Sequence, residues 1–330
     1  MYFLNGNHPF SLHGGHIFLK PIKIEVMFKK TKMRLTAIMF AFVMLTFHGF
    51  SINPFVSNYL INLSEGEDGP GYDDRVPEIV VSGNSVHVIW TQSVANREAY
   101  LYYRRSTDLG ETWEAPKVIL AFKDRGRAIT VENRRLAVDG DVVHICAADY
   151  DYDDNGTGRL HYFRSQNGGA SFESERIIAA TSGGYRSLDR SFIKASNGKV
   201  AVAYQGTGDK NGTWVLFSSN GGTTFSETKL PEESIYVYDL FYDGEQVIVL
   251  HGNYSTSYGY ITVGKIWVST SQNGTAFTTS KISETYMKDD VERERCYVIH
   301  NNHYSPKITR SGNNIHAVFT GYTEGDVWTT

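Results

Sequence analysis

Residues 104–113, RRSTDLGETW, decide the fold because they place several turn-forming residues between two apolar runs. An aspartate side chain accepts hydrogen bonds from nearby backbone N–H groups, and a glycine adopts a positive φ at no steric cost. Ser106 and Thr112 flank Asp108, so their hydroxyls are placed to join the two ends of the turn. Trp113 supplies a large apolar side chain that can pack beneath the turn. The segment therefore predicts a self-supporting turn in a β-hairpin.

The same pattern occurs three more times along the chain. Residues 165–172, SQNGGASF, and 218–225, SSNGGTTF, keep the serine but carry Asn for Asp and Phe for Trp. Residues 271–277, SQNGTAF, form a fourth copy with one residue deleted. The first serines stand at 106, 165, 218 and 271, so the spacings are 59, 53 and 53 residues. A period of this length indicates a supersecondary unit stacked on its neighbours.

Each repeat also contains a second hairpin, in which a glycine turn separates two β-rich runs. Five copies occur, at residues 79–90, 136–147, 193–204, 240–251 and 308–319. Each repeat is thus expected to run as strand a, glycine turn, strand b, loop, strand c, Ser-Asp-Gly turn and strand d. Four antiparallel strands per unit, repeated around an axis, predict an all-β protein with the β-propeller fold.

The number of blades is open at this point. The chain covers five repeats, and residues 55–64, FVSNYLINLS, have the pattern of an unpaired strand d. Pairing that segment with the last repeat would close a five-bladed ring and cover its exposed edges. The alternative is a six-bladed propeller of which this chain lacks a part. Residues 51–330 are assigned to the propeller in both cases.

Residues 1–50 have the character of a targeting segment. Residues 27–34, MFKKTKMR, are basic, and residues 35–47 form an apolar run of secretory length that is short for a membrane span. Residues 1–26 have no signal-like character and are interpreted as an extension ahead of the true start. We expect a secreted, periplasmic or cell-surface protein without a membrane span after signal removal; the alternative is a membrane-anchoring helix.

Composition limits the classes of partner. A formal net charge of −4 and a pI near 6.3 give no electrostatic basis for nucleic-acid binding, and they say nothing about oligomeric state. Two cysteines, Cys146 and Cys296, are too few for a disulfide framework. Free buried thiols are expected, with a single bridge as the alternative in an exported protein.

The four turns resemble the Asp-box, or BNR, repeat S-x-D-x-G-x-T-W of the sialidase superfamily, and the repeats span about residues 55–330. The resemblance implies a propeller whose Asp-box turns lie on the face opposite the active site. Catalytic residues are then expected in the d-to-a and b-to-c connections. It also implies a secreted glycoside hydrolase that acts on an acidic, sialic-acid-type carbohydrate and requires no cofactor.

Residues 74–77, DRVP, resemble the family's Arg-Ile-Pro signature, whose arginine belongs to a cluster that binds the sugar carboxylate. The resemblance assigns that role to Arg75, because a guanidinium matches a carboxylate bidentately. The alternative is an arginine that begins an ordinary strand.

The repeat register extends this prediction to a ring around the axis. Stepping back seven residues from the equivalent positions of the five glycine turns gives Arg75, Glu132, Asp189, Tyr236 and Tyr304. These positions are expected to point toward the propeller axis at one face. They contain the groups that sialidases use, namely a carboxylate anchor, an acid, and a tyrosine nucleophile activated by a glutamate. A slip of one residue would select Asp74, Asn133, Arg190, Val237 and Ser305 instead.

The chain departs from the sialidase pattern in the loop after the first strand b. The family places a second arginine and the acid aspartate there, whereas residues 91–100, TQSVANREAY, carry Arg97 and Glu98 and no aspartate. Glu98 is the candidate replacement for the acid. Candidates for the remaining arginines are Arg186, Arg190, Arg293 and Arg295. A non-catalytic propeller that binds a glycan or a protein is therefore an alternative.

Two further groups carry alternatives. Asp151, Asp153 and Asn155 fit a D-x-D-x-N-G pattern that suits a structural calcium ion, although the distal glutamate of an EF-hand is absent. The other interpretation is a solvated acidic hairpin tip.

His144 and His161 lie on neighbouring strands, and a histidine base would suit a propeller lyase acting on uronate polymers. The recurrence of histidine in this strand-b position of other repeats favours a structural role for His144 instead.

Overall fold

The computed structural model describes residues 63, 73–93, 98–122, 127–129, 135–151, 157–182, 188–231, 236–253, 256–258, 261–263, 265–283, 285–288, 291–294, 297–299 and 306–318. The chain divides into two compact units, Met1–Glu67 and Asp68–Thr330. Every described residue except Leu63 belongs to the second unit.

The first two repeats each form an antiparallel sheet. Blade 1 has the order β1 (Asp73–Ser82), β2 (Ser85–Ser93), β3 (Ala99–Ser106) and β4 (Lys117–Phe122). In blade 2 the inner strand is split, because β5 (Arg127–Ile129) and β6 (Leu136–Asp139) both pair with β7 (Val142–Asp151). The sheet continues with β8 (Gly158–Ser165) and β9 (Arg176–Thr181).

Repeats three and four are also four-stranded antiparallel sheets. Blade 3 has the order β10 (Leu188–Ser196), β11 (Lys199–Gly206), β12 (Gly212–Ser218) and β13 (Ser226–Lys229). Blade 4 has the order β14 (Tyr236–Tyr242), β15 (Val247–Gly252), β18 (Ile266–Ser271) and β19 (Thr278–Lys281). Among the described residues the one helical element is a 3-10 turn, Gly208–Lys210.

The rest of the described chain forms smaller sheets. An insertion in blade 4 gives β16 (Thr256–Tyr258) and β17 (Ile261–Val263), and β17 pairs with β22 (Tyr297–Ile299). Two hairpins follow blade 4, the first made of β20 (Thr285–Lys288) and β21 (Val291–Glu294). The second, β23 (Lys307–Ser311) with β24 (Asn314–Val318), is the glycine-turn hairpin of the fifth repeat.

The predicted fold class is confirmed by these sheets. The a-b-c-d strand order holds in four blades, and all five glycine-turn hairpins are present. Ring closure by residues 55–64 concerns a segment that lies outside the described residues except for Leu63, so the blade number stays a prediction. Within the described part of the chain, no helix has both the length and the apolar character needed to cross a membrane.

Among the described residues the apolar core forms four layers, one between each pair of consecutive repeats. Each layer receives an apolar residue of the next inner strand, three residues before the glycine turn. These residues are buried in repeats two to five, where they are Leu136, Ile193, Leu240 and Ile308. The equivalent residue of blade 1, Ile79, is 64% exposed because the described residues place no preceding sheet against it. Burial of such a side chain contributes about 1.5–3 kcal/mol.

The turns between strands c and d are held by their serine and Asp or Asn side chains, and we call them Ser-Asx turns. Ser106 Oγ accepts from the backbone N–H of Gly110 at 2.8 Å, and Asp108 Oδ1 accepts from the N–H of Thr112 at 2.8 Å. Hydrogen bonds from Ser106 and Thr112 lower the pKa of Asp108 to about 2, so it is ionised at neutral pH. Trp113 Nε1 donates to the Gly110 carbonyl at 3.1 Å.

Asparagine replaces aspartate in the second and third turns without loss of this network. Asn167 Oδ1 accepts from Ser171 N at 3.0 Å, and Asn220 Oδ1 accepts from Thr224 N at 2.9 Å. The amide nitrogens of Asn167 and Asn220 donate to the hydroxyls of Ser171 and Thr224, whereas Thr112 donates its hydroxyl to Asp108. A hydroxyl can donate or accept, so both side chains fit the same turn.

Positively charged side chains of one blade bind the turn carbonyls of the next. Arg105 Nη1 donates to Gly168 O at 2.6 Å, and Lys117 Nζ donates to Gly169 O at 3.0 Å. In the next pair of blades, Arg164 Nη1 donates to Gly221 O at 2.7 Å, and Arg176 Nη1 donates to Thr223 O at 2.7 Å. The Ser-Asx turns therefore join consecutive blades as well as closing their own hairpins.

A tyrosine of each of the first two blades also packs beneath the turn of the next blade. Tyr103 meets Phe172 edge to face at 4.9 Å, and Tyr162 meets Phe225 in the same way at 5.1 Å. A Cβ built on Gly222 would lie 1.9 Å from Tyr162 Oη. Glycine is therefore required there by space as well as by its positive φ of 78°.

Both of these tyrosines share a hydrogen bond with a buried histidine of strand b. The distance between Nδ1 and Oη is 2.7 Å for His87 and Tyr103, and 2.6 Å for His144 and Tyr162. Burial lowers the pKa of both histidines to about 4, so they are neutral in the folded protein. This geometry supports the structural interpretation of His144.

We predict that Gly222→Ala destabilises the protein much more than Gly221→Ala. Both glycines have a positive φ, at which alanine costs about 1–2 kcal/mol. A Cβ on Gly221 would lie no closer than 3.9 Å to other atoms, whereas one on Gly222 overlaps the Tyr162 hydroxyl, and overpacking adds about 1–3 kcal/mol. Chemical denaturation measures the difference. Equal free energies of unfolding for the two variants would contradict the packing of Tyr162 under this turn.

We also predict that stability falls as the pH falls from 6.5 to about 4. In this window the unfolded chain protonates His87 and His144 while the folded chain keeps them neutral, so acid favours unfolding. His144→Gln should reduce the loss of unfolding free energy between pH 7 and pH 5 by about 1–2 kcal/mol. His316 has the same strand-b position in the fifth repeat but is exposed, so His316→Gln is the control. Parallel pH profiles of His144→Gln and the wild type would contradict the assignment.

Candidate functional site

The two ends of each sheet carry different connections. Strand order places the glycine turns and the Ser-Asx turns at one end, where Leu109 N donates to Asn84 O and Gly221 N donates to Gly198 O. The connections from strand b to c and from strand d to the next strand a lie at the opposite end. We call this opposite end the candidate face, because the start of every inner strand lies there.

Three of the five predicted ring residues lie at the start of inner strands in the described chain. Arg75 lies in β1, where its Cα pairs with that of Thr91, and Asp189 lies near the start of β10. Tyr236 is the first residue of β14. For Arg75 and Asp189 only the backbone is described. Glu132 and Tyr304 lie outside the described residues, so the complete ring stays a prediction.

A break in the strand register, of the kind a β-bulge produces, lies at or just after each of these positions. The register shifts between Arg75 and Glu78 in β1, between Leu188 and Ser191 in β10, and between Val237 and Asp239 in β14. A bulge breaks the alternation of side chains and redirects them locally. The predicted ring assumed a regular alternation of side chains along each inner strand, without these bulges. In β10 the bulge contains both Asp189 and its one-residue alternative Arg190.

The structure brings Arg190 and Tyr236 together across blades 3 and 4. The guanidinium carbon of Arg190 lies 5.4 Å from the centroid of the Tyr236 ring, within cation–π range. Tyr236 in turn stacks on Tyr238, with centroids 6.4 Å apart and planes 9° from parallel. Gly252 leaves room for this pair, because a Cβ there would lie 2.7 Å from Tyr238 Cε2. An arginine and a tyrosine, both predicted from the sequence, are thus in contact on the candidate face.

Glu98 lies on the same face, just before β3. Its Oε2 accepts a hydrogen bond from the hydroxyl of Tyr100. Tyr100 neighbours Tyr102, which stacks on Trp90 with centroids 5.3 Å apart. An aromatic strip therefore runs down blade 1 from this carboxylate.

The sequence interpretation missed a carboxylate of the first inner strand that binds the backbone of the second. Glu78 Oε2 accepts from the backbone N–H groups of Arg135 at 2.6 Å and Leu136 at 3.0 Å. Asp239 makes the equivalent contact in blade 4, where its Oδ2 accepts from Ile308 N at 3.2 Å. An acidic residue within an otherwise apolar inner strand was the available signal, as in EIVV and VYDLFY.

The Arg135 side chain is 0% exposed, which is unusual for a guanidinium. Burial lowers the pKa of Arg135, and the Glu78 carboxylate opposes this change by favouring the charged form. Cys146, which is a free and fully buried thiol, lies in the same region. Burial raises the pKa of Cys146 to about 12, so the thiol is protonated at neutral pH.

A second buried group lies within blade 2. His161 Nδ1 is 2.6 Å from Glu175 Oε1, and His161 Nε2 is 3.3 Å from the buried Asp149 Oδ2. Phe122 packs edge to face on the imidazole at 5.6 Å. His144 is bound to Tyr162 instead, and the backbone pairings are His144 with Arg164 and His161 with Ala147. The two histidines considered for a lyase therefore have separate partners.

The remaining predicted residues are described only in part. For Asp151 only the backbone is described, at the end of β7, and Asp153 and Asn155 lie outside the described residues, so the calcium ion stays a prediction. The described residues contain no cluster of three or more histidine, cysteine or acidic side chains that could hold a metal. Arg97, Arg186, Arg295 and Cys296 lie outside the described residues, and Arg293 is described only by its backbone in β21.

We predict that Glu78→Gln lowers the free energy of unfolding by about 2 kcal/mol, because it removes the charge of the carboxylate that accepts hydrogen bonds from the backbone of Arg135 and Leu136 and that favours the charged form of the buried Arg135. Glu245→Gln is the matched control. Glu245 also pairs with an arginine, Arg310, at 3.2 Å, but its side chain is 75% exposed. An exposed pair contributes about 0.2–1 kcal/mol. Equal losses in the two variants, measured by urea denaturation, would contradict the importance of the Glu78 carboxylate for this contact.

Comparisons with known proteins bear on the fold. No family model matches the chain, and no curated protein matches it either. Among solved structures, the endosialidase of phage phi92 superposes with a TM-score of 0.50 at 10% identity, over 72% of this chain and 52% of that one. The chain thus spans about half the length of that structure.

Other solved structures are similar at lower TM-scores. Trypanosoma rangeli sialidase gives 0.44 at 12% identity, covering 64% of this chain and 38% of that one. A Fusarium graminearum α-L-arabinofuranosidase gives a TM-score of 0.41 at 15% identity, covering 76% of this chain and 75% of that one. At such identities the similarity concerns the fold alone. Together with the four-stranded sheets, the endosialidase superposition shows that this chain has the sialidase-like β-propeller fold.

Proposed function

We propose that the protein is a glycoside hydrolase of the sialidase type, which removes or cleaves at an acidic sugar. The observation that carries the proposal is the contact of Arg190 with Tyr236 on the candidate face of a sialidase-like propeller. An arginine from blade 3 and a tyrosine from blade 4 meet where the inner strands begin. These are two of the group types that cleavage of an acidic glycoside requires.

Arginines are proposed to hold the sugar carboxylate. A guanidinium presents a planar set of N–H donors that matches a carboxylate bidentately and stays charged at every physiological pH. Tyr236 supports Arg190 from one side through the ring face. Arg75, whose backbone lies at the corresponding start of β1, is proposed as the second anchor, with Arg97 and Arg186 as further candidates.

Bond cleavage is proposed to use a tyrosine nucleophile and carboxylic acids. The hydroxyl oxygen of Tyr236 or Tyr304 attacks the anomeric carbon as Glu132 accepts its proton. The glycosidic bond breaks as Asp189 or Glu98 gives a proton to the leaving oxygen. Water, deprotonated by the same carboxylate now acting as a base, then attacks the anomeric carbon, and the tyrosine oxygen leaves as Glu132 returns its proton.

The same proposal includes export and a structural ion. The basic and apolar runs within residues 1–50 support secretion to the periplasm, the cell surface or the medium, where acidic glycans are accessible. Asp151, Asp153 and Asn155 are proposed as calcium ligands that order the connection between β7 and β8.

A second candidate is a propeller that binds an acidic glycan without cleaving it. The observation that favours it is the environment of Glu98, which accepts a hydrogen bond from Tyr100 in a connection without an aspartate. A carboxylate held in this way binds a ligand hydroxyl as readily as it protonates a leaving group.

We predict that the purified protein hydrolyses a fluorogenic sialoside and that Arg75→Ala and Arg190→Ala each lower kcat/KM about 100-fold, because each loses a charged contact to the carboxylate. Tyr236→Phe should lower kcat and keep the ring under Arg190. Arg104→Ala is the matched control, since Arg104 binds Glu114 O near the opposite end of blade 1.

The outcomes separate the candidate functions. Absence of hydrolysis together with binding to sialylated glycans, lost in Arg190→Ala, would support the non-catalytic propeller. An increase in ultraviolet absorbance from an unsaturated uronate on acidic polysaccharides would identify a lyase. Equal activity of Arg190→Ala and Arg104→Ala would contradict the proposed site.

A further inference from the structure

The corner between β11 and β12 of blade 3 holds the end of blade 2 on the candidate face. We call residues 207–211 the 207–211 corner. The backbone N–H of Ser182 donates to Asp209 Oδ1 at 2.8 Å, and the Ser182 hydroxyl donates to Asp209 Oδ2 at 3.1 Å. The N–H of Asp209 donates back to Ser182 O at 3.0 Å. Thr181 Oγ1 adds a bond to Thr207 O at 2.8 Å. Four hydrogen bonds thus join two residues of blade 2 to this corner.

The corner is itself fixed on blade 3. Lys210 Nζ pairs with Glu227 Oε2 and lies 5.1 Å from the ring centroid of Trp214. Trp214 Nε1 donates to Lys210 O at 2.9 Å. The hydroxyl of Tyr204 donates to the other oxygen of Glu227 at 2.6 Å. Lys210, which follows Asp209, is therefore held by an ion pair, an aromatic ring and a hydrogen bond to its carbonyl. The hydrogen bond from Tyr204 fixes its ionic partner Glu227.

Gly206, the residue just before the corner, connects it to β10, the inner strand of blade 3. A Cβ on Gly206 would lie 2.3 Å from Lys210 O, so the chain folds back closely on this residue. The Cα of Gly206 pairs with that of Leu188, the first residue of β10. Arg190 follows two residues later, in the bulge that ends at Ser191. The 207–211 corner thus binds Ser182 at the end of blade 2, and the residue just before the corner, Gly206, pairs with Leu188 at the start of β10.

Asp209 is exposed, yet hydrogen bonds from the Ser182 backbone and hydroxyl lower its pKa below the usual aspartate value. An ionised carboxylate accepts hydrogen bonds through both oxygens, and such charge-assisted bonds are stronger than neutral ones. The two donors belong to the residue that begins the connection. Asp209 is therefore the residue of the corner that makes three of its four hydrogen bonds to the end of blade 2.

We propose that Asp209 is a positioning residue for the candidate site, which fixes the start of β10 so that Arg190 stays over Tyr236. This inference rests on the proposed function, because Arg190 is assigned there to the substrate carboxylate. Asp209 itself touches neither Arg190 nor Tyr236 in any described contact; it acts by holding the 207–211 corner, whose preceding residue Gly206 pairs with Leu188, two residues before Arg190. A displaced guanidinium loses its paired hydrogen bonds to a carboxylate, so a small shift of Arg190 weakens substrate binding.

The test compares Asp209→Ala, which removes both acceptor oxygens, with Asp209→Asn, which keeps one and replaces the other by an amide. Asp209→Ala should raise KM for the fluorogenic sialoside about tenfold with kcat nearly unchanged, since Arg190 binds the substrate in its ground state. Asp209→Asn should stay close to the wild type. Asp141→Ala is the control, because Asp141 is an exposed aspartate at the opposite end of blade 2.

A second measurement does not depend on activity. Arg186 follows Ser182 by four residues in the sequence, so the rate of trypsin cleavage after Arg186, followed by mass spectrometry, reports whether loss of the Asp209–Ser182 hydrogen bonds makes the chain more accessible. Cleavage should be about tenfold faster in Asp209→Ala than in the wild type, and unchanged in Asp209→Asn and Asp141→Ala.

The outcomes distinguish the inference from the function on which it rests. A wild type that hydrolyses the sialoside while Asp209→Ala keeps its KM would overturn the positioning role alone. A lower melting temperature of Asp209→Ala with unchanged KM and unchanged cleavage would show a merely structural residue and would also overturn it. A wild type without hydrolysis would contradict the proposed function, whatever the trypsin result.

Discussion

The interaction on which the rest of this structure depends is the binding of Ser-Asx turn carbonyls by cations of the preceding blade. A serine and an Asp or Asn side chain close the turn, which leaves its carbonyls pointing outward. Arg105 and Lys117 bind those of blade 2, and Arg164 and Arg176 bind those of blade 3. Each hydrogen bond to a charged group contributes about 1.5–3 kcal/mol, and each fixes one sheet against the next. The hairpin motif that first identifies the fold is thus also the joint between blades.

Because the inter-blade hydrogen bonds lie at the turn end of the sheets, the opposite end is free to carry functional side chains. At the turn end, glycine turns and Ser-Asx turns hydrogen-bond to one another, and glycines fit against neighbouring rings such as Tyr162. At the candidate face, connections differ in length and the inner strands carry bulges in β1, β10 and β14. Bulges redirect side chains without ending the strand, and they occur frequently next to active sites. The contrast between a repetitive end and a varied end agrees with the placement of Arg190, Tyr236 and Glu98.

Much of the fold could be predicted from the sequence because its signals are local. A glycine between two β-rich runs, or a serine two residues before Asp or Asn, determines a hairpin from residues that are near in sequence, and all four Ser-Asx turns and five glycine turns were found in this way. The split inner strand of blade 2 and the sheet of β16, β17 and β22 were missed, since each depends on pairing between distant segments. The site was predicted less well for the same reason. Arg190 was predicted as one of several candidate arginines and as the one-residue alternative to Asp189, because the bulge between Leu188 and Ser191 has no distinct local signal. The contact of Glu78 with the backbone of Arg135 was missed because it joins two different blades.

The distance between Arg190 and Tyr236 is therefore a property of blade packing rather than of either strand. One residue belongs to β10 and the other to β14, and these inner strands meet through Phe192, Val237 and Leu240 in the layer between blades 3 and 4. The same layer contains Phe217, whose ring fills the space at Gly274 in the fourth Ser-Asx turn. A shift of that turn would move blade 4 against blade 3, and with it the tyrosine against the arginine. Interiors as densely packed as proteins transmit such strain rather than absorb it. The turns at one end of the propeller thus determine the spacing of the groups at the other.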